Sequence, residues 1–493
     1  MSHSPDSQIA HHHVVSPQVN GMSSQAYITR RLPLDVLHEI FFHTAQITQS
    51  GMPREESMLA ALRLLQVCRT WRHVAMSCPS LWANITILLD GHGSSGRDSS
   101  SSRAVDIFLK RSRASPLSLS ITCSTVPHTI PKFDVLVYIL SKLLSQQNRW
   151  RVACFTFENV GGTLPEIRLA NVPLLESLAI DWKGTWINYG MGLAHIDFSS
   201  SQKLVSLHTS GILIETSGEQ LYGLKQVSFL GRHVEVRGMD HLEIIRKAPH
   251  LEFLGTRFIL STEARWDNPQ FPMIMLRKLR TLLIDDSDVS VSLVSNIVVP
   301  ALKHLICGPL NHGNFYVLVH LLKLTQPPLE ALEITGPCTI QDLFILLRIF
   351  PDLQRFCMRG IYVTPDFFDM LSIADTIDSY NEHQGVSSIL CPKLTELCLK
   401  NLRYRCNGKE GVEECIESLC SMLEKRCNAL GVVGSIEYEP VEPLPVGEVP
   451  NFNVPFANIG CTQVRKALIM TKKLDVRFKK VLTSEREQNS AQE

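Results

Sequence analysis

Fourteen cysteines, a run of three histidines and one glycine-rich motif are the residues through which this 493-residue chain could do thiol, metal or phosphate chemistry. Cys68 and Cys78 sit in "LLQVCRTWRHVAMSCPSLW", beside Trp71, Trp82, Arg69, Arg72 and His73. A thiol flanked by cations could be a nucleophile, and one on an apolar helix face would be inert. Cys406, Cys415, Cys420 and Cys427 are separated by eight, four and six residues, unlike the paired spacing of zinc ribbons, and read as helix and loop thiols. His11, His12 and His13 lie in a Ser- and Gln-rich stretch with nothing rigid to hold a metal. Gly91, Gly93 and Gly96 satisfy G-x-G-x-x-G after the strand-like "NITILL". A dinucleotide loop needs its third glycine to open a helix. Here Asp98 and four serines follow, and a flexible linker is expected instead. G-x-S-x-G, H-E-x-x-H and Walker patterns are missing from the sequence, so no catalytic constellation, metal or cofactor is expected.

The elements that must position these groups begin with a helical block. In "RLPLDVLHEIFFHTA", Pro33 suits a first helical turn and Asp35 and Glu39 its positive end. Pro33, Leu37, Ile40, Phe41 and Thr44 share one face. A second helix is expected from near Ser57, with Leu64, Val67, Cys68, Trp71, Ala75 and Cys78 in one buried stripe. Both thiols then pack as small hydrophobes, and the reactive-cysteine reading falls. The block spans 27–88, between an unstructured tail at 1–26 and a Gly/Ser-rich linker at 89–105.

Farther on, Leu-x-x-Leu-x-apolar recurs. It is led by Leu175, Leu204, Leu224, Leu251, Leu279, Leu302, Leu329, Leu353 and Leu394, with a weaker copy at Val152. Successive leaders are 23, 29, 20, 27, 28, 23, 27, 24 and 41 residues apart. All but the last sit at or near the 20–29 residue period of leucine-rich repeats, in which short strands stack edge to edge and share one core. Pro173, Pro249, Pro300, Pro328, Pro351 and Pro392 precede six of the strands and read as stops of the preceding helices. Residues between the leucines should project from a concave face. Asp181, His208, Arg257, Asp285, Glu333, Arg359 and Lys400 are its charged or titratable members and the candidate substrate-binding residues. The array is expected over 106–435, followed at 436–493 by a Pro-rich loop and a charged cap or tail. The fold class is α/β, a small helical module followed by an irregular solenoid with a curved parallel sheet.

Charge narrows the partners. Forty-eight Lys and Arg balance 48 Asp and Glu, so no global field attracts nucleic acid or an anionic membrane. No apolar run approaches the ~18 residues of a membrane span. The N-terminus has no signal-peptide core, which places the expected thiols, reduced, in cytoplasm or nucleus.

The block from Leu32 to Trp82 resembles an F-box. "LPLDVLHEIFFHT" is similar to that family's opening helix, and "VCRTWRHVAMSCPSLW" to its Val-Cys-Arg-x-Trp helix and closing Pro-x-Leu-Trp. The connection over about 45–57 is longer than usual. The resemblance implies docking on the Skp-family adaptor of a cullin–RING ubiquitin ligase. It assigns Leu32, Pro33, Leu34, Leu37, Ile40, Phe41, Leu65, Val67, Cys68, Trp71 and Trp82 to the docking surface and its core. Leucine-rich repeats after an F-box imply a non-catalytic receptor that holds a target protein. A leucine-rich scaffold that joins no ligase is the alternative.

Overall fold

The computed structural model describes residues 32–47, 56–90, 96–124, 133–158, 167–183, 193–197, 200–211, 213–217, 220–231, 239–258, 273–284, 296–309, 312–336, 338–360, 362–372, 390–400, 403–404, 418–419, 421–422 and 436–439. The chain divides into two units, residues 1–86 with 103–117, and residues 87–102 with 118–493.

The first unit is built on helices α1 (Leu34–Ile47), α2 (Glu56–Val67) and α3 (Arg69–Ser77), followed by a 3-10 turn at Pro79–Trp82. Pro33 lies just ahead of α1, where its missing N–H costs nothing, and its carbonyl accepts from Leu37 N at 3.1 Å. The continuous helix expected from Ser57 to Cys78 is broken at Cys68. That residue is extended (φ −159°, ψ 173°), and its Sγ caps α3 by accepting from Trp71 N at 3.4 Å. The break ends the single stripe. Val67 turns outward, Cys68 and Trp71 are half-buried, and Val74, Ala75 and Cys78 stay in the core. Arg72 Nε ties the two pieces together through Leu65 O at 2.9 Å.

The expected linker at 89–105 is also corrected. Strand β1 (Asn84–Asp90) is followed by α4 (Gly96–Ser112). Gly and Ser are poor helix formers, but α4 carries Val105, Phe108 and Ser112 on one buried face, and Lys110 and Arg111 complement its C-terminal dipole. Phe108 meets Trp82 edge-on with centroids 5.0 Å apart, and the Arg111 guanidinium lies 4.3 Å from the Trp82 ring centroid. Burial of that stripe outweighs the ~1 kcal/mol that a glycine costs a helix.

The second unit carries a sheet of thirteen strands among the described residues. Its order is β1-β2-β3-β5-β7-β9-β10-β12-β14-β15-β16-β18-β20. After β2 (Leu117–Ser124) come β3 (Trp150–Glu158), β5 (Ser177–Lys183), β7 (Ser206–Ser210), β9 (Gln226–Gly231) and β10 (Phe253–Phe258). They are followed by β12 (Thr281–Ile284), β14 (His304–Cys307), β15 (Ala331–Thr335), β16 (Arg355–Arg359), β18 (Glu396–Lys400) and β20 (Ile436–Glu439). From β3 to β20 each pairing is parallel. Every Leu-x-x-Leu phrase named above falls on one of these strands, and each pairs with its predecessor. The sheet runs on to β20, past the boundary expected at residue 435. A second, three-stranded sheet joins β4 (Ile167–Leu169), β6 (Leu193–Asp197) and β8 (Leu213–Ser217). Later returns are made by helices, such as α5 (Met239–Lys247), α6 (His312–Thr325) and α7 (Ile340–Ile349).

The repeat is one residue group longer than its leucines suggest. Leu175, Leu204, Leu224, Leu251, Leu279, Leu302, Leu353 and Leu394 each donate backbone N–H to the residue three before. Those acceptors, from Val172 and Ser201 to Phe350 and Cys391, are all buried. Pro173, Pro249, Pro300, Pro351 and Pro392 occupy the second position of this turn, where a fixed φ favours the bend. Pro173 and Pro300 follow strands rather than helices, so the turn explains them and a helix stop does not. The third apolar position is relaxed: Thr209 and Thr256 are buried there, and Thr256 Oγ1 donates to Leu283 O at 3.3 Å.

Candidate functional site

Two sets of residues carry the functional expectations, one in each unit. In the helical unit, α1 is apolar on two adjoining stripes. Leu37 and Phe41 are fully buried, with Phe41 edge-on to Trp71 at 5.0 Å. Val36 and Ile40, one turn apart on the neighbouring stripe, stay exposed, as does Leu34. On α2, Leu62 and Val67 are exposed, and on α3 so is Met76. Six large hydrophobics left in water on three short helices are more than a solvated helix face needs.

The eleven expected docking residues therefore separate by burial. Leu37, Phe41 and Trp82 are core and have no surface to offer, which corrects their place in a docking set. Trp82 is held by Nε1 donating to Ala75 O at 2.7 Å and works by fixing α3 to the closing turn. Leu32, Leu65, Cys68 and Trp71 are half-buried, and Pro33, Leu34, Ile40 and Val67 are exposed. Trp71 Nε1 is buried without a hydrogen-bond partner. Val36, Leu62 and Met76 were not anticipated. The Val36–Ile40 spacing was the signal for the first, since a helix with two apolar stripes has one more than its core can use.

In the sheet, strand alternation turns Leu178, Leu207, Val227, Leu254, Leu282, Leu305, Leu332, Phe356 and Leu397 to the core. Four of the candidate substrate residues, Asp181, His208, Glu333 and Arg359, project from the opposite face and gather at two places. Asp181 on β5 and His208 on β7 are near neighbours, since Ala179 is the register partner of His208. Lys183 Nζ bridges Asp181 Oδ2 at 3.3 Å on its own strand and Glu158 Oε1 at 3.0 Å on β3, and the second contact is one no single-strand pattern reveals. Burial lowers the His208 pKa, against the attraction of Asp181. Lys183 is held above its ordinary range, chiefly by its hydrogen bond to Glu158.

The second place lies on β15 and β16, where Arg359 Nε meets Glu333 Oε1 at 2.7 Å. Between the two places the middle row of this face is Ser228, Gly255, Leu283 and Ile306, without charge. Arg257 and Lys400 take the expected strand positions, paired with Leu230 and Arg359. Asp285 lies outside the described residues. Of the seven candidates, Asp181 with His208 and Glu333 with Arg359 thus make two polar clusters on one sheet face rather than one site.

The remaining chemical candidates stand as follows. Asp90 ends β1 and Gly96 opens α4, so the third glycine does lead into a helix, contrary to expectation. The strand that follows, β2, nevertheless contains no acidic residue for a ribose. Gly91 and Gly93 lie outside the described residues, as do His11, His12, His13 and Cys406, Cys415, Cys420 and Cys427. Among the described residues no three His, Cys, Asp or Glu side chains gather as for a metal, and no helix is long and apolar enough to cross a membrane.

No curated protein matches this chain. Residues 29–88 match the family described as F-box-like, a span that takes in the three helices, the 3-10 turn and most of β1. Residues 29–88 are therefore an F-box-like domain, and an F-box-like domain supports binding to the Skp-family adaptor of a cullin–RING ubiquitin ligase.

Proposed function

We propose that this chain is a target-recognition subunit of an SCF-type cullin–RING ubiquitin ligase. The F-box-like domain docks on the Skp-family adaptor, and a leucine-rich-repeat solenoid binds a target protein. One observation carries the docking half: the F-box-like match covers helices that leave Leu34, Val36, Ile40 and Val67 in water. The target half rests on eleven parallel strands, β3 to β20, whose face opposite the leucines bears the Asp181–His208 and Glu333–Arg359 clusters. In this reading the chain does no chemistry and needs no cofactor. It holds target and ligase together, so a bimolecular encounter becomes a local one. The place of action is the cytoplasm, the nucleus or both.

Co-purification of the full chain with a Skp-family adaptor tests this directly. Wild type should carry the adaptor, and a folded Leu32→Ala, Pro33→Ala double variant should lose it. Failure of folded wild type to bind would favour the alternative, a leucine-rich scaffold whose long α1–α2 connection no longer presents α1 for docking.

A further inference from the structure

Strands β16 and β18 place two thiols side by side. Cys357 and Cys398 are direct register partners, flanked by the pairs Phe356–Leu397 and Met358–Leu399. Phe356, Met358 and Leu397 point into the leucine core, so alternation puts both cysteines on the other face, the one that bears Glu333 and Arg359. Each thiol is 5% exposed, and neither is in a disulfide. Arg359 follows Cys357 by two residues on the same face of β16, and its register partner Lys400 follows Cys398 in the same way on β18. The thiols therefore lie on the polar side of the sheet and are not sealed among leucines.

Neighbouring strands are ~4.7–4.9 Å apart, inside the ~4.4–6.8 Å range of Cα separations that disulfides span. In a parallel pair the Cβ atoms are about as far apart as the strands, slightly beyond the ~3.5–4.5 Å a disulfide prefers. Closing the bond thus asks for a shift of a few tenths of an ångström and no change of register. Cys307 and Cys338 form a contrasting pair. Cys307 is fully buried at the third repeat position, and burial pushes its thiol up and that of Cys338 to about 12, so both stay protonated.

We propose that Cys357 and Cys398 form a reversible dithiol–disulfide site on the face of the sheet opposite the leucines, oxidised by hydroperoxides. One sulfur attacks a peroxide oxygen and the O–O bond breaks. The peroxide takes the two electrons and leaves as water or an alcohol, and the sulfur becomes a sulfenic acid. The second thiol then displaces the hydroxyl as water, forming the S–S bond, and a thiol reductant reverses the step. The crosslink would join β16 to β18 beside the Glu333–Arg359 pair, on the face assigned above to the target, although the site does not depend on that assignment.

The test uses the full chain, reduced, freed of reductant and given a small excess of hydrogen peroxide. Free thiols are then blocked with N-ethylmaleimide, and the peptides are mapped by mass before and after reduction. The expected result is a Cys357–Cys398 peptide pair that has lost two hydrogens and is restored by dithiothreitol, with unchanged circular dichroism. In folded Cys398→Ser, Cys357 should stop at a sulfenic acid trapped by dimedone. Separate sulfinic acids, bonds from these two only to other cysteines, or no oxidation of either would each overturn the proposal. The wild-type map decides even if the variant does not fold.

Discussion

Leu34, Ile40 and Val67 allow docking to be separated from folding, because their side chains are exposed at 56%, 40% and 56%. Fully burying such a side chain is worth ~1.5–3 kcal/mol. If the adaptor covers what is exposed, Leu34 and Val67 each contribute ~0.8–1.7 kcal/mol and Ile40 ~0.6–1.2. Alanine keeps a methyl group and neighbouring contributions do not add fully, so the triple change to alanine should cost ~2–3 kcal/mol. That corresponds to a ~30- to 150-fold rise in Kd. Folding should hardly notice, since exposed substitutions usually fall within ~0.5 kcal/mol each. Titration calorimetry of wild type and the triple variant against a purified Skp-family adaptor reads the affinity, and a circular dichroism melt reads the fold. A triple variant that melts like wild type and binds equally tightly would refute the docking surface. A variant that binds weakly only because it is unfolded would mean that burial has been misjudged here.

Other outcomes follow from single contacts. Trp82→Ala should destabilise the helical unit by ~3–5 kcal/mol, because a fully buried indole and its hydrogen bond to Ala75 O are lost; a thermal shift below ~1 kcal/mol would contradict its core role. Gly336→Ala should cost clearly more than Gly360→Ala. Both glycines have left-handed φ, +83° and +64°, but an added Cβ at 336 would lie 2.6 Å from Pro309 Cγ, whereas at 360 it meets open space. Denaturant titration of the two variants would show a reversed order if the turn at Gly336 is misplaced. His208 gives a pH dependence. Its folded pKa is lowered by burial, so below about 6.5 the unfolded chain binds more protons. Stability should therefore fall as pH drops through and below 6.5, with the loss levelling off once the folded pKa is passed. A His208→Gln variant should show less of this slope in melts from pH 8 to 5, and an identical slope would remove His208 as the cause.

Much of this architecture was legible in the residues alone. Each Leu-x-x-Leu phrase became a strand paired to the one before, because period-two burial and a recurring leader leave few other ways to share a core. The F-box-like helices were legible for a similar reason: Leu37, Phe41 and Trp82 are apolar residues at helical or turn spacing. The turn preceding eight of the leaders was also written in the chain, as a buried residue at Leu −3 with proline at −2 in five of them, but it is visible only once the strands are aligned.

Tertiary structure decided what periodicity cannot see. Backbone departure at Cys68 ended the single stripe and left Val67 at the surface, because one extended residue breaks the phase between the helix before it and the helix after it. Packing of Val105 and Phe108 made a helix of a serine-rich stretch whose local propensity says otherwise. Cross-strand register joined Lys183 to Glu158 and Glu333 to Arg359, and set Cys357 against Cys398. Such pairs are 25 to 41 residues apart in the chain and only one strand apart in space. Sequence spacing fixes which face of its own strand a residue takes, but only the stacking of repeats fixes which residue stands beside it.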